Sequence, residues 1–137
     1  MKTYEADIAE INAVYDQYCL GASAGDLDLF LSVWVDDVIR IEPDMPPLLG
    51  KDQVRTRFAP LFEQFDQNDT IHGEIEVQVS GDMAFSRGIC TVTIMPKQGE
   101  ATNYLDGKWM DILKRQADGS WKIFRDCVIF DAPPKTE

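Results

Sequence analysis

The sequence has few basic residues and a large acidic excess. Lysine and arginine number 13 against 24 aspartates and glutamates, which gives a formal net charge of -11. Nucleic acids and anionic membrane surfaces attract proteins through basic residues. The charge balance therefore argues against both as partners, and it is typical of a soluble protein with an acidic surface.

Metal-binding and redox motifs are also lacking. The sequence has one histidine, His72, and three cysteines, Cys19, Cys90 and Cys127, which lie far apart and form no CxxC pair. A zinc site needs such residues in a cluster, so we expect no metal and no cofactor. An odd number of cysteines without a secretory signal is typical of reduced, buried thiols, which predicts a cytoplasmic protein.

Long apolar runs and nucleotide-binding or nucleophile motifs are missing as well. No run of about 18 apolar residues occurs, so no segment is expected to span a membrane. No Gly-rich phosphate loop, EF-hand loop or Ser-His-Asp set is recognisable. With 137 residues, of which 45% are hydrophobic, the chain is expected to fold as one domain, residues 1–137, with a core from about 5 to 130.

The first half of the chain has the pattern of helices. Residues 4–23 carry apolar side chains at steps of three and four, which predicts an amphipathic helix; these residues are Ile8, Ile11, Tyr15, Tyr18 and Ala22. Asp26 is a good N-cap for a second, short helix, and a third helix is expected from Lys51. Pro60 lies inside the third pattern, so we expect a kink or a break near Ala59.

The second half has the pattern of strands. A short strand is expected over residues 35–41, and the polar residues 66–70 predict a loop. From Ile71 the apolar residues recur at every second position, which predicts strands. Turn signals between them give four predicted strands, 71–80, 83–95, 103–116 and 120–130. The tail after residue 130 is expected to be frayed. Helices followed by antiparallel strands indicate an α+β fold. The strand at 103–116 is apolar on both faces, which predicts a homodimer through the sheet.

Three segments resemble the nuclear transport factor 2-like superfamily, which includes SnoaL-like polyketide cyclases and ketosteroid isomerases. They read GDLDLFLSVWVDDVIRIEP, PPLLGKDQV and GKWMDILKRQADGSWKIFRD, and the resemblance extends from about Ile8 to Phe130. It implies a cone-shaped fold in which three N-terminal helices pack on a curved, mostly antiparallel sheet. Because the superfamily includes enzymes, binding proteins and assembly domains, the resemblance does not specify a single reaction.

Ketosteroid isomerases are the relatives that imply particular site residues. They carry a tyrosine seven residues before a Gly-Asp pair, a general-base aspartate before a proline, and a second acid on the strand before the last hairpin turn. The matching positions here are Tyr18, Glu42 and Asp111, and Glu42 departs from the family pattern by one methylene group. The resemblance thus implies Glu42 as a base, with Tyr18 and a neutral Asp111 as donors to an enolate oxygen.

An aspartic acid stays neutral at physiological pH only in apolar surroundings. Aromatic and apolar residues near these positions are expected to line such a pocket and to bind a small hydrophobic molecule. The candidate substrate-binding residues are Trp34, Met45, Phe58, Phe62, Trp109, Asp126 and Phe130. The expected function is an isomerase-like or cyclase-like proton transfer on an apolar carbonyl compound, without a cofactor.

Each candidate residue also has a structural interpretation. Tyr18 suits a core tyrosine, Glu42 an exposed strand end, and Asp111 an ion pair with Lys108, Lys114 or Arg125. Asp126 suits an ion pair with its neighbour Arg125, although Asp111, Arg125 and Asp126 also resemble the Asp-Arg-Asp set of an epoxide-hydrolase variant of the fold. His72 suits a strand edge.

Two alternatives to an enzyme remain open at the level of the whole protein. One is a non-catalytic binder of hydrophobic ligands that uses the same pocket. The other is a dimerisation module whose cavity is filled by aromatic side chains.

Overall fold

The computed structural model describes residues 3–99 and 101–132, together with the backbone of 135–136. Helices dominate the first half of the chain and long strands the second half. The helices are α1 Tyr4–Ala24, α2 Leu27–Leu31 and α3 Lys51–Gln64, and the strands are β1 Trp34–Ile41, β2 Leu48–Leu49, β3 Phe65–Ser80, β4 Met83–Pro96, β5 Asn103–Arg115, β6 Trp121–Phe130 and β7 Lys135–Thr136.

The strands form one mixed sheet in the order β2-β1-β6-β5-β4-β3, and β7 pairs with β5. Strand β1 is parallel to β6, whereas the other pairs are antiparallel. The helices pack on one face of this sheet, so the expected α+β architecture is confirmed.

The helix boundaries follow from local signals in the sequence. Helix α1 begins after Thr3, whose side chain accepts a hydrogen bond from the Ala6 N–H at 3.1 Å, and Asp26 caps α2 by accepting from the Leu29 N–H at 3.0 Å. Helix α1 ends at Gly25, where the N–H of Gly25 donates to the Ala22 carbonyl at 3.3 Å. The predicted helix over 4–23 and the predicted N-cap at Asp26 are therefore confirmed.

Aromatic rings between the helices and the sheet form the centre of the core. Phe30 on α2 has no exposed surface, and its ring centroid lies 4.7 to 5.2 Å from those of Tyr18, Trp34, Phe58 and Phe62. Such tilted and edge-on ring pairs add to the stabilisation that burial provides. This cluster connects all three helices to the start of β1.

Two sequence-based predictions are corrected in the middle of the chain. Helix α3 continues through Pro60 to Gln64, so no break occurs near Ala59. Pro60 and Thr56 both face solvent, where water can satisfy the Thr56 carbonyl that Pro60 leaves without its helical donor. Residues 66–70 form no loop, because β3 already begins at Phe65 and pairs with β4 along this whole stretch.

The tail prediction is also revised in part. Lys135 and Thr136 pair with Tyr104 and Asn103 as strand β7, so this part of the tail is not frayed. Pro133, Pro134 and Glu137 lie outside the described residues. Among the helices that the structure describes, none is long and apolar enough to cross a membrane.

Gly88 on β4 provides a test of packing on the inner face of the sheet. A Cβ atom at this position would lie 2.3 Å from Cη2 of Trp109, so Gly88→Ala has to displace the indole ring. We expect a loss of about 1–3 kcal/mol in the free energy of unfolding, the usual cost of overpacking. Urea denaturation measures this loss, and Gln78→Ala on the exposed face of β3 is the control, expected within about 0.5 kcal/mol of wild type. Equal stability of both variants would contradict the close packing of Trp109 on Gly88.

Candidate functional site

A cavity of about 180 Å³ lies between the helices and the inner face of the sheet. An apolar cavity of ~150 Å³ in another protein holds one benzene molecule, so this space is large enough for a small ring compound. Its apolar walls come from α1, α3 and strands β3 to β6, and consist of Cys19, Phe58, Leu61, Ile71, Cys90, Val92, Ile94, Leu105, Trp109, Ile123, Val128 and Phe130. Its polar groups are concentrated on a few side chains from α1, the end of β1 and the residue after it, α3, β3, β5 and β6.

The structure brings seven of the ten predicted site residues to this cavity. Those residues are Tyr18, Glu42, Phe58, Trp109, Asp111, Asp126 and Phe130. Trp34 and Phe62 instead lie in the aromatic core around Phe30, and Met45 lies in the turn after β1. These three side chains do not line the cavity.

Asp111 is at the centre of a buried chain of hydrogen bonds. The Tyr15 hydroxyl donates to Oδ2 of Asp111 at 2.7 Å, and the same hydroxyl also hydrogen-bonds to Ser86. Nε1–H of Trp109 donates to Oγ of Ser86 at 3.2 Å, and the Cys127 N–H donates to Oδ1 of Asp111 at 3.2 Å. The Asp111 side chain is therefore held by direct hydrogen bonds from helix α1 and strand β6, and Ser86 on β4 in turn holds Tyr15.

Asp111 lies directly opposite Asp126, because the two residues are partners in the β5–β6 register. Only 2% of Asp111 is exposed. Burial, followed by the negative charge of Asp126 and a hydrogen bond to its carboxylate, raises the pKa of Asp111 well above the ordinary range. Burial beside a second carboxyl group therefore favours the protonated form of Asp111.

Arg40 neutralises the charge on Asp126. Its Nη1 donates to Oδ2 of Asp126, and its Nε donates to Oε2 of Glu42 at 2.9 Å. Burial lowers the pKa of Arg40, but Asp126, Tyr18 and Glu42 together outweigh this effect and raise the pKa well above its ordinary value. The guanidinium group also lies 5.1 Å from the ring centroid of Phe58, so apolar surface surrounds a fully charged group.

Glu42 is a partner of two arginines. Its Oε2 accepts from Arg40, and its Oε1 accepts from Nη2 of Arg57 at 3.3 Å. Only 8% of the Glu42 side chain is exposed, so the sequence-based alternative of a solvent-exposed strand end does not hold. Both carboxylate oxygens are already engaged by guanidinium groups, which limits their freedom to accept a further proton.

Tyr15, rather than Tyr18, makes the contact with Asp111. Both tyrosines lie on the inner face of α1, and both line the cavity. Burial raises the pKa of Tyr18 well above its ordinary value, although the nearby Arg40 guanidinium lowers it. Tyr18 therefore faces the Arg40 end of the cavity, whereas Tyr15 faces the Asp111 end.

Six polar residues of the site were not among the sequence-based candidates: Tyr15, Arg40, Arg57, Gln67, Asp69 and Ser86. Tyr15 lies on the predicted apolar stripe of α1, so the helical period already indicated that it faces inward. Asp69 was missed because the inward positions of the first part of β3 include Gln67 and Asp69, which interrupt the apolar alternation. A local bulge at Gly73, with φ of +70°, then shifts the register of the strand.

The remaining candidates lie outside the cavity. Arg125 donates to the backbone carbonyls of Phe124 and Asp37, so it is the ion-pair partner of neither Asp126 nor Asp111. His72 is exposed on β3 and hydrogen-bonds to Thr91 at 2.8 Å. Within the described part of the chain, no group of three histidine, cysteine, aspartate or glutamate side chains is placed to hold a metal ion.

Comparisons with solved structures agree with this architecture. A ketosteroid isomerase-like protein from Erwinia carotovora is 26% identical with a TM-score of 0.78, over 93% of this chain and 98% of that chain. A nuclear transport factor 2-like protein from Salmonella enterica is 15% identical with a TM-score of 0.85, over 95% of this chain and 94% of that one. A hexachlorocyclohexane dehydrochlorinase from Novosphingobium barchaimii is 16% identical with a TM-score of 0.80, over 96% of this chain and 90% of that one.

No curated protein sequence matches the chain at a significant level. A family model does match, and it describes a SnoaL-like domain over residues 4–125. This match includes all three helices and extends into β6, so it contains every polar group of the cavity except Asp126. On this evidence the chain belongs to the SnoaL-like domain family, within the nuclear transport factor 2-like superfamily.

Proposed function

We propose that the protein is a cofactor-free enzyme that transfers a proton on a small apolar carbonyl compound, in the manner of a ketosteroid isomerase or polyketide cyclase. The observation that carries the proposal is the buried Asp111, which faces Asp126 and accepts a hydrogen bond from Tyr15 at one end of an apolar cavity. Burial and the charge of Asp126 raise the pKa of Asp111, which favours its neutral form. A neutral carboxylic acid in such a place is a strong hydrogen-bond donor to a developing oxyanion.

The proposed reaction needs two protein functions. A carboxylate removes a proton from the carbon beside the carbonyl group. The electrons of that C–H bond form the C=C bond of an enolate, and the π electrons of the carbonyl group move onto its oxygen. The hydroxyl hydrogen of Asp111 turns from Asp126 to stabilise that oxygen, while Tyr15, whose hydroxyl donates to Asp111, holds this acid in place. In an isomerisation the same proton then returns to another carbon of the substrate. In a cyclisation the enolate carbon instead forms a bond to a second carbonyl carbon of the substrate, and the oxygen of that carbonyl group takes the proton. Neither reaction needs an external reactant.

Three carboxylates of the cavity are available as partners in this reaction: Glu42, Asp69 and Asp126. The family resemblance implies Glu42 as the base and Tyr18 as a second donor. We propose Phe58, Trp109 and Phe130 as the apolar surfaces that hold the substrate, because these residues line the same cavity.

A non-catalytic ligand-binding role is the second candidate. It is supported by the hydrogen bonds within the site, since Asp111, Asp126 and Glu42 all have partners from the protein itself. A binder of this kind would keep its affinity for an apolar ketone after either carboxyl group is converted to an amide, and it would catalyse no proton exchange.

We also propose a homodimer formed through the outer face of the sheet. Apolar side chains point outward from four neighbouring strands; the most exposed are Ile89, Met95, Met110 and Ile129, and Ile41 lies beyond them on β1. A face of this kind is usually covered by a partner, and a second copy is the simplest one.

The location of the protein in the cytoplasm stays a prediction, which rests on its three free cysteines.

The dimer predicts a change of mass after a single substitution on this face. Met110 is 61% exposed at the centre of β5, and Met110→Glu places a charge where two copies would meet. We expect wild type to have the mass of a dimer by light scattering, and the variant to have the mass of a monomer. Leu20→Glu is the matched control, because Leu20 is 58% exposed on α1 and lies away from the sheet. A monomeric wild type would contradict the dimer.

The enzyme proposal predicts that Asp111→Asn slows proton exchange. The probe is 2-tetralone, a bicyclic ketone whose hydrogens beside the carbonyl group exchange with D₂O and are followed by proton NMR. The amide keeps the size of the side chain and can still donate to Asp126, but it is a much weaker donor than a carboxylic acid. We expect the exchange rate to fall by about 100-fold, the usual effect of losing one oxyanion donor.

Binding is measured in the same samples by saturation-transfer NMR. Asp106→Asn, an exposed change on the same strand, is expected to leave both exchange and binding unchanged. Exchange by wild type no faster than in buffer, with the ketone bound, would favour the non-catalytic binder over the enzyme.

A further inference from the structure

Asp69 is a carboxyl group of the cavity that takes no part in the hydrogen bonds and ion pairs around Asp111, Asp126 and Glu42. It lies on β3, on the inward face, and is only 9% exposed. Nε2 of Gln67 donates to its Oδ1 at 2.8 Å. Among the described residues no other donor reaches this carboxyl group, and its Oδ2 is not enclosed by protein atoms. Oδ2 therefore has accessible surface, and Asp69 lines the cavity.

The other two candidate carboxylates differ from Asp69 in this respect. Both oxygens of Glu42 accept from arginines, Arg40 at 2.9 Å and Arg57 at 3.3 Å. Asp126 is bound by Arg40 on one side and faces the Asp111 carboxyl group on the other. A proton taken by either group would have to displace an ion pair in a buried place, which is costly. A proton taken by Asp69 displaces nothing.

The surroundings of Asp69 also favour proton uptake. Burial raises its pKa above the ordinary value, and this effect outweighs the hydrogen bond from Gln67 and the more distant charge of Arg40, which both lower the pKa. A carboxylate with a raised pKa is a stronger base near neutral pH than an exposed one. Two thiols lie near Asp69, but burial and its charge raise the pKa of Cys19 to about 12 and that of Cys90 to about 11, so both stay protonated.

We propose that Asp69 is the general base of this site, in place of Glu42, and that its Oδ2 removes the proton from the carbon beside the substrate carbonyl group. The inference rests on the proposed function and assigns one of its two roles. The C–H bond breaks, an O–H bond forms on Asp69, and the electron pair of the C–H bond becomes the C=C bond of the enolate. The π electrons of the carbonyl group move to its oxygen, which Asp111 stabilises while Tyr15 holds Asp111 in place. Glu42 then has a positioning role, since it holds Arg40 and Arg57 in place.

The exchange of 2-tetralone hydrogens with D₂O distinguishes the two bases. Asp69→Asn keeps an oxygen that can accept from Gln67, so the local hydrogen bond is retained while the base is removed. We expect the exchange rate to fall by about 100-fold or more, the usual contribution of general-base catalysis, with the binding of 2-tetralone retained. Glu42→Gln is expected to lower the rate less than Asp69→Asn. Asp66→Asn, an exposed change on the same strand, is the matched control and is expected to exchange at the wild-type rate.

A second variant keeps the assignment testable if the amide disturbs the strand. Asp69→Ala leaves room for a small carboxylate, and added formate is expected to restore part of the lost exchange in this variant but not in Asp111→Asn. Circular dichroism confirms that each variant is folded.

The outcomes separate this inference from the function on which it rests. If Asp69→Asn exchanges at the wild-type rate while Asp111→Asn is slow, Asp69 is not the base, and the proposed enzyme still stands. If Glu42→Gln is slowed more than Asp69→Asn, the base is Glu42. If bound 2-tetralone does not exchange in wild type, the proposed function itself fails, and the assignment of Asp69 fails with it.

Discussion

The site depends on two aspartates that face each other inside the protein. Asp111 and Asp126 are paired residues on neighbouring antiparallel strands, and both side chains point into the same apolar cavity. Two carboxylates this close cannot both ionise away from water. Arg40 forms its ion pair with Asp126, so the charge stays on Asp126 and the proton stays on Asp111. This asymmetry creates a neutral acid at one end of the cavity and a neutralised, arginine-bound carboxylate beside it.

The fold provides the conditions that this pair requires. Helix α1 brings Tyr15 to Asp111, β4 brings Ser86, and the parallel pairing of β1 with β6 places Arg40 directly beside Asp126. The aromatic core around Phe30 lies beneath the Arg40 end and, together with the cavity walls, keeps the pair away from bulk water.

The sequence predicted the fold better than the site, for physical reasons. Helical and strand periods depend on local spacing, and they located α1 and most of the sheet correctly. They failed over residues 66–70, where inward-facing polar groups hide a strand. The resemblance to ketosteroid isomerases implied Tyr18, but the rotation of α1 against the sheet decides which tyrosine contacts Asp111, and it is Tyr15. The partner of Asp126 was equally hidden, because the parallel β1–β6 contact joins residues far apart in the chain and selects Arg40 over its neighbour Arg125.

The protonation state of Asp111 is the claim that the whole account requires, and carbon-13 NMR of the aspartate side-chain carboxyl groups measures it directly. The signal that is lost in Asp111→Asn identifies the residue, and its chemical shift is followed from acidic to neutral pH. Because burial and Asp126 raise its pKa, the account predicts that Asp111 keeps the shift of a protonated acid at neutral pH, where exposed aspartates have long since ionised. A signal that titrates near the ordinary aspartate pKa of about 3.9 would contradict it.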